Sequence, residues 1–410
     1  MIPLLLTPDG QRLLAELPPY EVQDVFALTS QLRKSGYHAD LVAAALTQNR
    51  LRAKATAKFG SFAQTMIFTS DGVEQATRLP VAAHHAQHFR NAHIHHIIDL
   101  GCGIGADSMA FAGLGLQVTS VENDADAAQA ATFNLSAFPE ARVIHADGRE
   151  LDLQSFSADA LWLDPARRSN GKRIADPEQW APPLSTALRL AEQFPAAGIK
   201  VAPGIDYAAL PDNACVEWTS VDGDLLEAVI WLGSAALQPG RSARIIRGSH
   251  TVVFDSGSET TSSESPTVPP VTLGDYIYEP DPAVIRSGGI ARLCEDRNIA
   301  PVSHNIAYLT GADLIESPLV TTFAIRDVLP LDTKKVRAYL AAHEIGIVEI
   351  KKRGTELDPS TWRKKLKLNP LHSGQATLIA TPVAGQHRVI VTERTDQRLE
   401  SNEQQLDVDQ

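Results

Sequence analysis

The chain has 410 residues, of which 21% are charged, and a formal net charge of −12. This length allows two or three domains with sizeable cores, and the acidic balance argues against a uniformly basic surface that coats nucleic acid. The cysteines Cys102, Cys215 and Cys294 lack C-x-x-C spacing, which argues against a disulfide framework and a zinc knuckle. The apolar start over residues 1–6 lacks the basic region of a signal peptide, and no stretch reaches transmembrane length. We therefore expect a cytoplasmic protein without a membrane partner.

The first part of the chain is predicted to be helical. Apolar residues recur at helical spacing in three stretches. These stretches are 8–17, 24–34 and 39–58. We interpret residues 1–58 as an N-terminal helical subdomain. Residues 66–69 then form a strand candidate, and the pattern predicts a single helix over 74–89.

From residue 94 the pattern alternates between apolar strands and helices. The predicted strands are 94–100, 117–122, 141–145, 158–163 and 198–202, with a closing antiparallel pair at 216–221 and 226–232. Such alternation predicts a parallel sheet that is covered by helices on both faces. We therefore predict an α/β domain over residues 59–235.

Beyond a boundary near residues 234–239, helical and strand patterns are mixed. Residues 236–394 are predicted to form an α+β domain. Within it, the stretch 255–269 is polar and low in complexity, and we expect a flexible loop there. The acidic stretch 395–410 has little to bury and is predicted to be disordered.

A glycine-rich loop follows the first predicted strand directly. It spans residues 99–105 and reads Asp99-Leu-Gly101-Cys102-Gly103-Ile-Gly105. Glycine lets the backbone adopt positive φ and approach a ligand closely. A dinucleotide site needs G-x-G-x-x-G, with the pyrophosphate on the helix N-terminus. The spacing found here favours S-adenosylmethionine, because Asp99 would repel a pyrophosphate but attract the methionine ammonium or its ordered waters.

Two further acids follow the next two predicted strands. Glu122 ends the second strand and can accept both ribose hydroxyl protons, whereas Asp147 follows the third and can accept from the adenine amine, beside Asn123. Each acid alone could cap a helix or face solvent, but sites in parallel sheets lie where the strands end, so their joint placement favours a cofactor site. The predicted cofactor-binding residues are Asp99, Gly101, Cys102, Gly103, Glu122, Asn123 and Asp147.

These stretches resemble the first three motifs of the class I S-adenosylmethionine-dependent methyltransferases. The matching residues are 99–105, 121–124 and 145–148, and the resemblance covers roughly residues 60–235. It implies a Rossmann-like, seven-stranded sheet and methyl transfer from S-adenosylmethionine. The motifs are specific for the class and leave the substrate open.

The end of the fourth predicted strand reads Asp164-Pro165-Ala166-Arg167. In this class that point faces the transferred methyl group, and enzymes that act on exocyclic base nitrogens carry Asp/Asn-Pro-Pro-aromatic there. We predict Asp164, Pro165 and Arg167 as catalytic, with Asp164 and the Pro165 carbonyl accepting substrate N–H groups. Arg167 replaces the stacking aromatic. Uracil-5-methyltransferases carry Asp-Pro-Pro-Arg but need a nucleophilic cysteine, and Cys215 lies in no obvious catalytic motif. A turn without a chemical role is the alternative.

Positive charge is concentrated in a basic loop over residues 167–173. Its cations are Arg167, Arg168, Lys172 and Arg173. They indicate either an anionic substrate such as a nucleic-acid backbone or a merely solvated loop. The layout before the first strand is similar to that of trimethylguanosine-synthase-like and related RNA guanine-N2 methyltransferases. His84 and His88 have metal-ligand spacing, but no carboxylate or cysteine completes the set, so we predict no metal.

The densest basic patch lies near the end of the chain. Its cations include Lys351, Lys352, Arg363, Lys364 and Lys365. The region resembles the THUMP-like domain that follows a methyltransferase domain in a group of bacterial proteins, and THUMP domains bind tRNA-type RNA. The resemblance implies an RNA partner, although a solvated basic helix is the alternative.

The prediction is a methyltransferase acting on a base nitrogen of tRNA or rRNA. A small-molecule or protein methyltransferase is the second hypothesis. The third is a non-catalytic module on the same fold that binds RNA or protein.

Overall fold

The computed structural model describes residues 1–21, 25–169, 172–257 and 260–395, with the side chains of 168, 169, 172 and 173 excepted. The predicted tail is outside the described residues from 396 on. The chain divides into two compact units. Unit 1 comprises Met1–Ala202 and Val229–Gln238, and unit 2 comprises Pro203–Ala228 and Pro239–Gln410. The sequence-based domain boundaries stay a prediction.

Helices and strands alternate through much of the described chain. The helices are Ile2–Leu5 (α1), Pro8–Glu16 (α2), Val25–Lys34 (α3), Ala39–Phe59 (α4), Ser70–Gln75 (α5), Leu79–Asn91 (α6), Ala106–Gly113 (α7), Ala125–Asn134 (α8), Leu184–Ala191 (α9), Pro282–Arg286 (α10), Ile290–Arg297 (α11), Thr333–Ala342 (α12) and Pro359–Leu366 (α13). The strands are His96–Leu100 (β1), Gln117–Glu122 (β2), Ala141–His145 (β3), Ala160–Leu163 (β4), Arg168–Ser169 (β5), Lys172–Arg173 (β6), Ala196–Val201 (β7), Cys215–Val221 (β8), Asp224–Gly233 (β9), Gly240–Arg247 (β10), His250–Asp255 (β11), Tyr276–Pro280 (β12), Ala300–Pro301 (β13), Leu309–Gly311 (β14), Val320–Pro330 (β15), Ile345–Lys352 (β16), Gly374–Val383 (β17) and Gln386–Arg394 (β18).

Unit 1 is built on a parallel sheet. Strands β7, β4, β1, β2 and β3 lie side by side in that order and run in the same direction. Strands β4 and β7 are buried along their whole length, as a sheet covered on both faces requires. The chain order reverses beside β1, and ligands bind outside the carboxyl strand ends at such a point. The predicted α/β fold is confirmed.

The segment 66–69 is not a strand, and the sequence-based prediction of one is wrong. Its backbone groups are satisfied by side chains instead. The Gln48 amide donates to the Phe68 carbonyl and accepts from the Phe68 N–H, both at 2.8 Å. Oδ1 of Asn134 accepts from the Ile67 N–H at 2.8 Å, and the Asn134 amide donates to the Ile67 carbonyl at 3.0 Å. A buried segment can therefore lie outside any helix or sheet, because polar side chains replace the missing backbone partners.

The helix predicted over 74–89 is also wrong as a single element, because the chain breaks it into α5 and α6. Residues 76 and 78 are extended, and Thr77 lies between them. Pro80 stands in the first turn of α6, where its missing N–H costs nothing, whereas inside a longer helix its ring would clash with the preceding turn. The break brings Thr77 into the buried interior of unit 1.

Unit 2 contains a seven-stranded sheet in the order β13-β14-β12-β15-β18-β17-β16. Helices α12 and α13 pack on it through a shared apolar cluster that includes Val336, Trp362 and Leu378. The predicted hairpin of β17 and β18 is confirmed. Also in unit 2, β10 pairs in parallel with β8 and antiparallel with β11.

Candidate active site

The glycine-rich loop turns directly after β1, and its three glycines all have positive φ. The values are 81° at Gly101, 58° at Gly103 and 83° at Gly105. A Cβ atom on Gly101 or Gly103 would meet nothing within 4 Å. The N–H groups of Gly101 and Cys102 both donate to the Val121 carbonyl, which fixes the loop to β2. Open space beside a firmly held backbone is what a closely bound cofactor requires.

Glu122 is the second anchor of the loop. One carboxylate oxygen accepts from the Gly103 N–H and the other from the Asp124 N–H, both at 2.8 Å. The side chain is half-buried at the end of β2. Carboxylate oxygens can accept more than one hydrogen bond each, so Glu122 can hold the loop and still accept ribose hydroxyl protons.

Asp99 lies in a different environment, with only 2% of the residue exposed. The Ser108 hydroxyl donates to its carboxyl group at 2.5 Å, and Ser108 lies 2.8 Å from the Ser120 hydroxyl. Burial raises the pKa of Asp99 to about 8, and the neighbouring charge of Asp107 acts in the same direction. Asp99 is therefore a buried group on β1, directly before the glycine-rich turn. Its attraction for the methionine ammonium stays a prediction.

Asp147 follows β3, at the strand end next to Glu122. The Arg149 guanidinium donates to both of its carboxylate oxygens, at 3.0 Å from Nε and 2.5 Å from Nη2. These hydrogen bonds lower the pKa of Asp147 to about 2. Sequence reasoning missed Arg149. Asn123 is exposed, and its carbonyl oxygen lies 3.1 Å from Nε2 of His145.

The end of β3 also approaches β1 closely. A Cβ atom on Gly148 would lie 2.2 Å from a methyl carbon of Leu100, so a larger residue there would require the Leu100 side chain to move. The strand ends of β1, β2 and β3 thus bring the glycine-rich loop, Glu122 and Asp147 to one edge of the sheet. All seven predicted cofactor residues belong to these strand ends and loops, and their contacts with the cofactor stay a prediction.

Asp164 follows β4 with a side chain that is 26% exposed, and its Oδ2 forms an ion pair with Nζ of Lys200 on β7. Pro165 is buried and Arg167 is half-buried. The basic loop is closed at its base, because Ala166 and Ala181 exchange backbone hydrogen bonds of 2.8 and 3.1 Å. Strands β5 and β6 pair within it. The side chains of Arg168, Lys172 and Arg173 lie outside the described part of the structure.

A buried polar cluster extends from Lys200. Its ammonium donates to the Thr77 hydroxyl at 2.9 Å, and Thr77 donates to Asp107 at 2.7 Å. Nδ1 of His85 lies 2.8 Å from the other Asp107 oxygen. Burial by itself would raise the pKa of Asp107. The hydrogen bond and charge of His85, the charge of Lys200 and the hydrogen bond of Thr77 lower it below its ordinary value. Sequence reasoning missed this cluster, although a lysine within an apolar strand signals a buried, paired charge.

Histidines of α6 take part in packing. His88 stacks on Trp231 with ring centroids 3.8 Å apart, and its Nε2 lies 2.7 Å from the Ala235 carbonyl oxygen. Within the described ranges, no three His, Cys, Asp or Glu side chains are grouped so that they could hold a metal ion. Among the described helices, none has the length and apolar character needed to cross a membrane.

Comparison with known proteins identifies the family. A protein of Mycobacterium tuberculosis, named an uncharacterized S-adenosylmethionine-dependent methyltransferase and found in strains CDC 1551 and H37Rv, is 31% identical over 331 residues. The match covers 78% of this chain and 87% of the relative. The chain belongs to the S-adenosylmethionine-dependent methyltransferases. The predicted activity and cofactor are thereby confirmed.

Other comparisons support the methyltransferase fold and match two segments of the chain to domain families. A crystal structure of a candidate methyltransferase from Porphyromonas gingivalis W83 superposes with a TM-score of 0.71 at 18% identity. It covers 93% of this methyltransferase and 100% of that chain, which shows a common fold. Residues 320–394 match the THUMP domain-like family, which confirms the predicted resemblance, and residues 2–55 match a domain of unknown function, DUF8688.

Proposed function

We propose that this methyltransferase acts on a base nitrogen of RNA. The observation that carries the proposal is the THUMP domain-like segment over residues 320–394, because THUMP domains bind RNA of the tRNA type. The same chain carries Asp164-Pro165 directly after β4, which is half of the motif used on base nitrogens. The proposed domain order is a helical subdomain, a methyltransferase domain and a THUMP-like domain.

The five predicted cations of the THUMP-like segment fall into two groups. Lys351 and Arg363 are engaged by protein atoms: Lys351 pairs with Glu279 at 2.7 Å, and Arg363 donates to the Val348 carbonyl at 2.5 Å. The other group is exposed on β16 and α13. It comprises Lys352, Lys364 and Lys365. We assign the contacts with RNA phosphates to the exposed group, because an exposed ammonium is accessible to a phosphate.

In the proposed mechanism, orientation of the substrate nitrogen matters more than removal of its proton by a strong base. S-adenosylmethionine supplies an electrophilic methyl group on a sulfonium. Asp164 and the Pro165 carbonyl accept the substrate N–H hydrogens, so that the nitrogen lone pair faces the methyl group. After the methyl group has been transferred, the substrate nitrogen would have to lose a proton. That proton is acidic once the nitrogen is methylated, so a nearby carboxylate or water suffices to remove it.

Mass spectrometry of total RNA nucleosides tests the proposal. A strain that lacks the gene is compared with its parent, and we expect one methylated nucleoside to be lost. The wild-type gene should restore it. The Asp164→Ala variant should not restore it, because it lacks the side-chain acceptor. Asp126→Ala should restore it, since Asp126 is an exposed residue of α8. An identical nucleoside profile in both strains would contradict an RNA substrate and favour a small molecule or a protein.

A further inference from the structure

We infer that Lys200 is a positioning residue for methyl transfer, which acts by fixing the carboxylate of Asp164. The inference rests on the acceptor role of Asp164 in the proposed function. Lys200 lies on β7, next to β4 in the sheet, and its side chain is 4% exposed. Asp164 is the more exposed partner of the pair, so it is the member that a substrate can reach.

A buried ammonium on this strand needs an explanation, because removing a charge from water is costly even when it is paired. An apolar residue would fill a fully buried strand position without that cost. The ion pair involves Oδ2 of Asp164, which fixes the rotamer and leaves Oδ1 as the oxygen that we assign to the substrate N–H. A carboxylate that is held in one orientation loses no rotational freedom when the substrate binds.

Lys200 is itself held in place by the buried cluster. Thr77 and Asp107 fix its position from the break between α5 and α6 and from the first turn of α7. Helix α7 follows the glycine-rich loop directly. His85, which completes the cluster, lies against Trp162 with ring centroids 4.6 Å apart, and Trp162 is two residues before Asp164 on β4. The cluster therefore connects the loop that we assign to the cofactor with the residue that we assign to the substrate.

A double-mutant cycle tests this role against a merely structural one. Methyl transfer from tritiated S-adenosylmethionine is measured with total RNA from the deletion strain and, in parallel, with an RNA-free extract of that strain. The enzymes compared are the full-length wild type, Lys200→Met, Lys200→Arg, Asp164→Asn and the double variant Lys200→Met/Asp164→Asn. Calorimetry gives the dissociation constant for S-adenosylmethionine for each of them.

If Lys200 acts through Asp164, Lys200→Met lowers kcat at least tenfold and leaves the apparent KM and the cofactor affinity within threefold. Lys200→Arg recovers part of the rate, and the double variant is no slower than Asp164→Asn. Losses that multiply in the double variant would overturn the inference, and so would an Asp164→Asn variant as active as the wild type. If tritium enters only the RNA-free extract, an RNA substrate is refuted. The double-mutant cycle measured with that extract then tests the role of Lys200 separately.

Thr77→Val is the second variant, in case Lys200→Met fails to fold. It removes one hydrogen bond that holds Lys200 but keeps the ion pair with Asp164, so we expect kcat to fall by less than in Asp164→Asn, with the apparent KM within threefold of the wild-type value. A Thr77→Val loss in kcat as large as that of Asp164→Asn, with a normal thermal unfolding midpoint, would show that the cluster as a whole is needed and would overturn the specific role of Lys200.

Discussion

Two carboxyl groups with similar predicted roles differ at the scale of single residues. The pKa of Asp99 is about 8 because burial disfavours its charged form, whereas hydrogen bonds from Arg149 hold the pKa of Asp147 at about 2. Both acids follow parallel strands and look equivalent in the sequence. Their surroundings separate them, since one is enclosed with a serine and the other meets a guanidinium at the surface.

Asp99 makes the stability of the fold depend on pH. A carboxyl group whose pKa is raised on folding contributes stability below about pH 4, and this contribution is lost as the pH rises to about 8. We expect the unfolding free energy to fall by roughly 2–4 kcal/mol from pH 5 to pH 8 through this group. In the Asp99→Asn variant, this contribution to the decrease in unfolding free energy should disappear. Urea denaturation at several pH values measures it, with Asp126→Asn as the exposed control. An unchanged pH dependence in Asp99→Asn would contradict the raised pKa.

Glu122→Gln should weaken S-adenosylmethionine binding at least tenfold. The carboxylate accepts two backbone N–H groups, and an amide NH₂ would face one of these donors and disturb the loop. It would also lose an acceptor for a ribose hydroxyl. Isothermal calorimetry measures the affinity, and Glu140→Gln is the matched control because Glu140 is exposed in the same unit. Equal affinity for the variant and the wild type would exclude Glu122 from the cofactor site.

At the scale of elements, the segment 66–69 has buried backbone groups that are paired without a sheet. Gln48 supplies both a donor and an acceptor to Phe68 from α4, so the helix takes the place of a neighbouring strand. Regular elements are favoured because they satisfy backbone groups locally, but side chains can do so where the sequence places them correctly. The N-terminal helices therefore help to build unit 1.

Gln48→Leu should destabilise unit 1 by about 1–3 kcal/mol, because it leaves buried N–H and C=O groups of Phe68 without partners. Urea denaturation followed by tryptophan fluorescence measures the loss. Gln31→Leu on α3 is the control, since Gln31 is exposed. Equal stability of the two variants would mean that the hydrogen bonds of Gln48 to this segment contribute nothing net.

At the scale of the whole molecule, an acidic chain carries exposed lysines on β16 and α13 of the THUMP-like segment. The net charge of −12 repels RNA in general, so binding to RNA would depend on a local surface. The affinity that such phosphate contacts provide falls steeply as the salt concentration rises, because protein binding releases cations that were bound to the RNA. Salt dependence therefore separates an RNA-binding surface from a solvated basic helix.

Removing the charges of Lys364 and Lys365 together should reduce the slope of log affinity against log salt by about one to two. Fluorescence anisotropy with labelled total tRNA between low and physiological salt measures the slope. The control variant Arg33→Gln/Lys34→Gln removes the same charge from exposed positions of α3. If both variants lower the slope equally, the effect is one of net charge, and the assignment to α13 is wrong.

The sequence by itself determined the parallel sheet, the glycine-rich loop after β1 and the acids at three strand ends. These features follow from local patterns, since hydrophobic period, glycine spacing and strand-end acids are read within a few residues. The tertiary structure alone decided which polar groups meet. Lys200 and Thr77 are 123 residues apart and yet share a hydrogen bond. Buried polar groups must find partners wherever the fold brings one, and sequence spacing does not reveal such partners.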